Sequence, residues 1–195
     1  MKKIIIFTFI LLAIGISNES RAQIRTEQPP DKIIPQTPFD EAAAKQSLAE
    51  GTSMIQGVAC SITEGRVYMA ENTTVTLYPD TPHLREWIKL GNDKGFAVVR
   101  MSPAATKYRI EATTDEGGRF QFTKIKPGKY FLLSYYKLDL TDGEENWTVG
   151  RSLERFVEIK NDGETIKIHL ASDGRRNSIL GPKNDNCNSR GRKFF

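Results

Sequence analysis

Two histidines and one glutamate have types and spacing that could do chemistry. His83 and Glu86 stand three positions apart, about one helical turn, and His169 is the only other histidine. Such a set can bind zinc and activate a water, which would make the chain a zinc-dependent hydrolase. His169 alternates out of phase with Ile168 and Leu170, so it should lie on the other face of its strand. Zinc catalysis is therefore the remote alternative, and we expect no enzymatic activity, metal or cofactor.

Cys60 and Cys187 are the only two cysteines. Cys60 alternates with Val58 and Ile62 on an apolar face, where a buried free thiol is common. A disulfide between the two cysteines is the alternative, and by chain entropy it would contribute on the order of 5 kcal/mol. The pattern favours the free thiol over the disulfide.

Aromatic and acidic clusters offer two further kinds of binding site. Tyr135, Tyr136 and Trp147 could form an exposed platform for carbohydrate, although core and hairpin packing explain them more simply. The acidic residues between Asp139 and Glu145 lack the spacing of a calcium loop and are expected at a solvated hairpin tip.

Residues 1–22 have the pattern of a secretory signal peptide. Lys2 and Lys3 precede an apolar run of about 13 residues, and a small-x-small cleavage site ends at Ala22. We therefore expect an exported protein, periplasmic or secreted, that is not integral to the membrane after processing. Export permits disulfides.

Three regions are expected in the mature chain. Residues 23–52 are a Pro-containing linker and a short helix, which Thr37 should cap and Gly51 should end. Residues 53–173 form the main domain. Residues 174–195 carry six basic residues against one acidic residue and are expected to be disordered, although they could meet an anionic surface. The formal net charge of the whole chain, +4, is too small to indicate nucleic acid as a partner.

The main domain has a period of two from Met54 onward, which predicts about seven short strands and an all-β sandwich. Turn signals separate the strands at 115–118, read as a tight hairpin, at 126–128 and at 161–163. Residues 81–107 interrupt the strands and contain a short helix around 84–90.

The run from Thr114 to Phe122, followed by Ile125 to Tyr130, resembles the signature of carboxypeptidase regulatory-like domains, T-D-x-x-G-x-F-x-F-x-x-L-P-P-G-x-Y. The resemblance covers about residues 54–171 and departs at Ile125, Lys126 and the stretch after Pro79. It implies a transthyretin-like Greek-key β-sandwich without catalytic function. The signature positions are Gly57, Asp115, Gly118, Phe120, Phe122, Pro127, Gly128 and Tyr130.

The sequence therefore predicts an exported, non-catalytic module that binds an unidentified envelope or extracellular protein. The alternative is a module that binds carbohydrate or another small molecule. A sheet edge or a set of loops on a stable scaffold would make the contact.

Overall fold

The computed structural model describes residues 32–63, 66–142, 145–172 and Cys187. The predicted signal peptide, the start of the linker and the basic tail apart from Cys187 lie outside the described residues. The helices are α1 (Glu41–Ser47), α2 (Pro82–Lys94) and α3 (Pro103–Lys107). The strands are β1 (Ser53–Thr63), β2 (Arg66–Met69), β3 (Thr74–Pro79), β4 (Ile110–Thr113), β5 (Arg119–Ile125), β6 (Gly128–Asp142), β7 (Glu145–Ile159) and β8 (Thr165–Ser172).

The strands form two four-stranded sheets. In the first sheet, β1 is central: β8 runs parallel to it, while β2 and β5 pair with it in antiparallel orientation. The second sheet is antiparallel, in the order β4-β3-β6-β7. The expected all-β sandwich is confirmed. Its additional strand is the short β2, which the alternation pattern did not predict.

The three predicted turns each carry the chain from one sheet to the other. The strands β4 and β5 lie in different sheets, as do β5 and β6, and β7 and β8. The hairpin predicted at 115–118 is therefore wrong, although the tight reversal is present. Gly118 has a φ of +71°, and the Asp115 carboxylate accepts hydrogen bonds from the amides of Gly117 and Arg119. Such turn chemistry reverses the chain without choosing its partner strand.

The sandwich core lies between the two sheets. Phe120, Phe122 and Tyr130 all belong to it. Gly57 lies opposite Phe120 on the neighbouring strand and leaves room for its ring. The Tyr130 hydroxyl lies 2.8 Å from the Lys126 carbonyl oxygen and 3.0 Å from that of Ser47, which ties α1 to the core.

A separate apolar cluster covers the outer face of the first sheet. Val58, Cys60, Ala171 and Cys187 are buried there, whereas Ile55 and other residues of β1 face the sandwich core. A disulfide joins Cys60 to Cys187 across 127 residues of sequence. The preference for a free thiol is therefore wrong. Alternation placed Cys60 on a buried face, but it could not show which distant residue covers that face.

Residues 32–37, before α1, are hydrogen bonded to distant parts of the chain, although Lys32, Ile33, Ile34 and Gln36 are exposed as expected of a linker. We call residues 32–37 the strap. Ile33 bridges Val99: the Ile33 amide donates to the Val98 carbonyl, and its own carbonyl accepts from the Arg100 amide. The cap of α1 is Asp40 rather than Thr37, because the Asp40 carboxylate accepts from the Ala43 amide.

The helix predicted around 84–90 is present as α2 and extends to 82–94. The Thr81 hydroxyl caps it by accepting from the Leu84 amide. In the described part of the chain, no helix is both long and apolar enough to cross a membrane.

Candidate functional site

The outer face of the second sheet is divided into a covered half and an open half. The helices α2 and α3 pack over one half, where Leu84, Trp87 and Ile88 meet Phe131 and Leu133. The other half continues along β3 and β6 beyond the helices. A ligand site is expected on such an open half, because a rigid sheet forms its floor.

A cleft of about 680 Å³ lies on this face. Three segments supply its walls: the turn before β3, the strands β3 and β6, and the chain entering β4. The lining residues are Glu71, Asn72, Thr73, Thr74, Thr76, Tyr78, Arg109, Glu111, Leu133, Ser134, Tyr135, Tyr136 and Lys137. We call this the outer cleft.

Strand alternation explains which side chains reach the outer cleft. Val75 and Leu77 enter the core, so Thr74, Thr76 and Tyr78 point outward from β3. On β6 the same rule turns Tyr135 outward, and 60% of its surface is exposed. The cleft therefore combines one open aromatic ring with hydroxyl groups at neighbouring positions.

An ion pair forms the β4 side of the outer cleft. Arg109 Nε donates to Glu111 Oε1 at 2.6 Å, and Arg109 Nη1 donates to the Thr106 carbonyl. Desolvation raises the pKa of Tyr78, and Glu111 adds to this rise while Arg109 opposes it. The Tyr78 hydroxyl therefore stays protonated at neutral pH, so it can both donate and accept a hydrogen bond.

The three-residue aromatic platform, which the sequence offered as the less simple alternative, is not formed. Trp147 lies opposite Leu140 in the β6–β7 ladder, so it shares a face with the even-numbered residues of β6. Tyr136 is on that face and packs against the core, whereas Tyr135 is on the opposite one. The sequence identified Tyr135 but missed Tyr78, which the outward row of hydroxyl-bearing residues on β3 could have indicated.

The structure does not bring the three zinc candidates together. His83 is buried, and its Nδ1 donates to the Thr37 carbonyl at 2.6 Å. The Glu86 carboxylate accepts from the amides of Gln36 (3.0 Å) and Thr37 (2.7 Å). His169 lies on β8 in the other sheet. Among the described residues, no group of three His, Cys, Asp or Glu side chains could hold a metal ion.

The signature positions lie in the core and the turns rather than in the outer cleft. None of these residues lines the cleft. Phe120, Phe122 and Tyr130 fill the sandwich, and Asp115 and Gly118 shape the turn between sheets. They account for the scaffold and leave the choice of ligand to other residues.

Comparison with known proteins supports the fold. No family model matches the chain, and no curated protein is significantly similar to it. The chain is similar to a solved structure from Pseudomonas aeruginosa described as a "putative carbohydrate binding protein", with 23% identity and a TM-score of 0.58. That match covers 68% of this chain and 97% of the other. An (S)-allantoin synthase structure is 12% identical, with a TM-score of 0.30 over 64% of this chain and 42% of its own. The resemblance to carboxypeptidase regulatory-like domains stays a prediction.

Proposed function

We propose that this protein is an exported, non-catalytic β-sandwich module that binds carbohydrate in the outer cleft. The observation that carries the proposal is the exposed ring of Tyr135 beside a cleft lined with hydroxyl, carboxylate and guanidinium groups. An aromatic face offers apolar contact to the C–H groups of a sugar ring, while the polar groups bond its hydroxyls. The name of the Pseudomonas structure supports the same reading.

The binding geometry would be fixed by the sheet rather than by loops. Thr76 lies opposite both Glu111 on β4 and Leu133 on β6, so the cleft floor is held by backbone ladders on both sides. A site on a rigid floor loses little conformational entropy when it binds. This suits recognition by a module that has no chemistry to perform.

Binding can be measured by screening immobilised glycans, followed by calorimetry on each hit. We expect Tyr135→Ala to weaken binding at least tenfold and Tyr135→Phe to weaken it much less, because the ring face makes the main contact. Trp147→Ala is the matched control, since Trp147 is an exposed aromatic residue on the opposite face of the hairpin. An equal loss for Trp147→Ala, or no glycan bound at all, would contradict the proposal.

Export is the second part of the proposal. It is supported by the signal-peptide pattern of residues 1–22 and by the Cys60–Cys187 disulfide, because disulfides form and persist in oxidising compartments. N-terminal sequencing of protein recovered outside the cytoplasm should begin at Gln23. A product that retains Met1 in the cytoplasmic fraction would show this part to be wrong.

A protein partner in the envelope is a second candidate function, favoured by the edge of β7. The ladder of β6 with β3 ends at Ser134, whereas its ladder with β7 continues to Asp142. Among the described strands β7 pairs only with β6, so residues 145–152 offer an open edge for strand addition. A photo-crosslinker at Thr148 should then capture one defined protein in cells. Recovery of monomer alone would exclude strand addition at this edge.

A further inference from the structure

We infer that the outer cleft selects neutral glycans over acidic ones, an inference that rests on the carbohydrate-binding function proposed above. The chain as a whole is basic, with a sequence pI near 9.0, which by itself would favour an anionic ligand. The balance of charges in the outer cleft is different from that of the whole chain. Its charged lining residues are Glu71, Glu111, Arg109 and Lys137, so their formal charges cancel.

Two of the three guanidinium nitrogens of Arg109 already have partners. Its Nε is hydrogen bonded to Glu111, and its Nη1 is hydrogen bonded to the Thr106 carbonyl. A ligand carboxylate that approached Arg109 would therefore meet Glu111 beside it. Bidentate arginine–carboxylate pairing is the usual way in which a site selects an acidic ligand, and here an internal carboxylate competes for that arginine.

The carboxylate of Glu154 lies on the same sheet face as Tyr135. Glu154 pairs with Leu133, and Ser152 pairs with Tyr135, so Glu154 is the diagonal neighbour of Tyr135 on β7. The Ser152 hydroxyl donates to Glu154 and fixes the carboxylate on this face. A uronic acid stacked on Tyr135 would meet this negative charge, whereas a neutral hexose would not.

A neutral sugar can use every group that remains. The Glu111 carboxylate can accept hydrogen bonds from sugar hydroxyls, and the hydroxyls of Thr74, Thr76 and Tyr78 can both donate and accept them. Because such hydrogen bonds involve no net charge on the ligand, binding should depend little on ionic strength.

The test compares a glucose hexamer with a galacturonate hexamer by calorimetry on the full chain, at low and at high salt. We expect the neutral hexamer to bind at least tenfold more tightly at low salt, with little change at high salt. Glu154→Gln should raise the affinity for galacturonate by roughly three- to tenfold and change that for the neutral hexamer less. Tighter binding of galacturonate, or binding of the neutral hexamer that falls steeply with salt, would overturn the inference while leaving carbohydrate binding intact. Failure of both hexamers to bind would instead count against the carbohydrate function itself, and the inference would fall with it.

Discussion

Gly57 shows how one missing side chain shapes the sandwich. It lies on β1 directly opposite Phe120 on β5. A Cβ placed on Gly57 would lie 2.1 Å from Cζ of Phe120, far inside van der Waals contact. The Phe120 ring is itself buried among core side chains, including Phe122 at a centroid distance of 5.9 Å, so it has little freedom to move away.

Gly57→Ala should therefore destabilise the fold by about 1–3 kcal/mol, because it overpacks the core. Urea unfolding of both proteins measures the difference. Gly150→Ala is the matched control within a strand, since nothing lies within 4 Å of the position of its Cβ. We expect that variant to be as stable as the wild type or slightly more so. Equal losses for the two variants would show that the Phe120 contact is not the cause.

At the candidate site, the sequence could predict one residue of the arrangement and not its neighbours. Tyr135 stood out as an aromatic residue in a strand, but the alternative that grouped it with Trp147 on one face is not what the structure has. The two residues are in one hairpin, and the face that each occupies depends on the register of β6 with β7. A shift of one residue reverses every face, so spacing along the chain cannot supply this information.

At the scale of the elements, one carboxylate on α2 anchors the end of the strap next to α1. Glu86 accepts hydrogen bonds from the amides of Gln36 and Thr37, and His83 one turn earlier donates to the Thr37 carbonyl. Glu86→Gln retains one acceptor oxygen and replaces the other with a donor, so it should weaken the strap. We expect faster hydrogen exchange at the amides of Gln36 and Thr37, while exchange in β1 stays unchanged. Unchanged exchange at the strap would show that the Ile33–Val99 bridge and the His83 hydrogen bond hold it without Glu86.

The strap should also respond to acid. Hydrogen bonds from the Thr37 side chain and from the amides of Gln36 and Thr37 lower the pKa of Glu86 to about 2. A carboxylate with a depressed folded-state pKa stabilises the fold fully above its ordinary pKa of 4.5 and loses that contribution as the pH falls toward 2. The amide chemical shifts of Gln36 and Thr37 should titrate with a midpoint near 2, and in Glu86→Gln this titration should vanish. A midpoint near 4.5 in the wild type would contradict these contacts.

The elements themselves differ in how well the sequence predicts them. Phe120 and Phe122 alternate with polar neighbours, so β5 could be placed correctly, and the same holds for β3. The N-terminal half of β7, residues 145–152, is mostly exposed and lacks the alternation of a half-buried strand. The sequence therefore did not predict the length of this strand. The sequence of the strap is typical of a linker, because the partners of its hydrogen bonds lie some 50–65 positions away and leave no local pattern. The pattern of neighbouring residues predicts local structure, whereas the strap and the N-terminal half of β7 depend on partners that are distant in sequence.

At the scale of the whole molecule, the disulfide joins β1 to a residue near the C-terminal end of the sequence. The chain-entropy model gives a stabilisation on the order of 5 kcal/mol for a loop of this length. Cys187→Ser should therefore lower the urea midpoint strongly, and Cys60→Ser/Cys187→Ser should behave in the same way. The wild type in a strong thiol reductant should match both variants. If the free energy of unfolding fell by less than about 1 kcal/mol, the unfolded chain would gain little conformational freedom when the disulfide is removed.

The parallel pairing of β1 with β8 has a consequence for the order in which the fold can be built. β1 begins at Ser53, but the strand that completes its side of the first sheet begins only at Thr165. A chain delivered from its N-terminus therefore carries a central strand with one open edge until β8 has emerged. The pairing of β1 with β8 closes a loop of more than a hundred residues, and the chain entropy lost in that closure slows folding. For the export proposed above, this order means that the first sheet can be completed only after β8 has crossed the membrane.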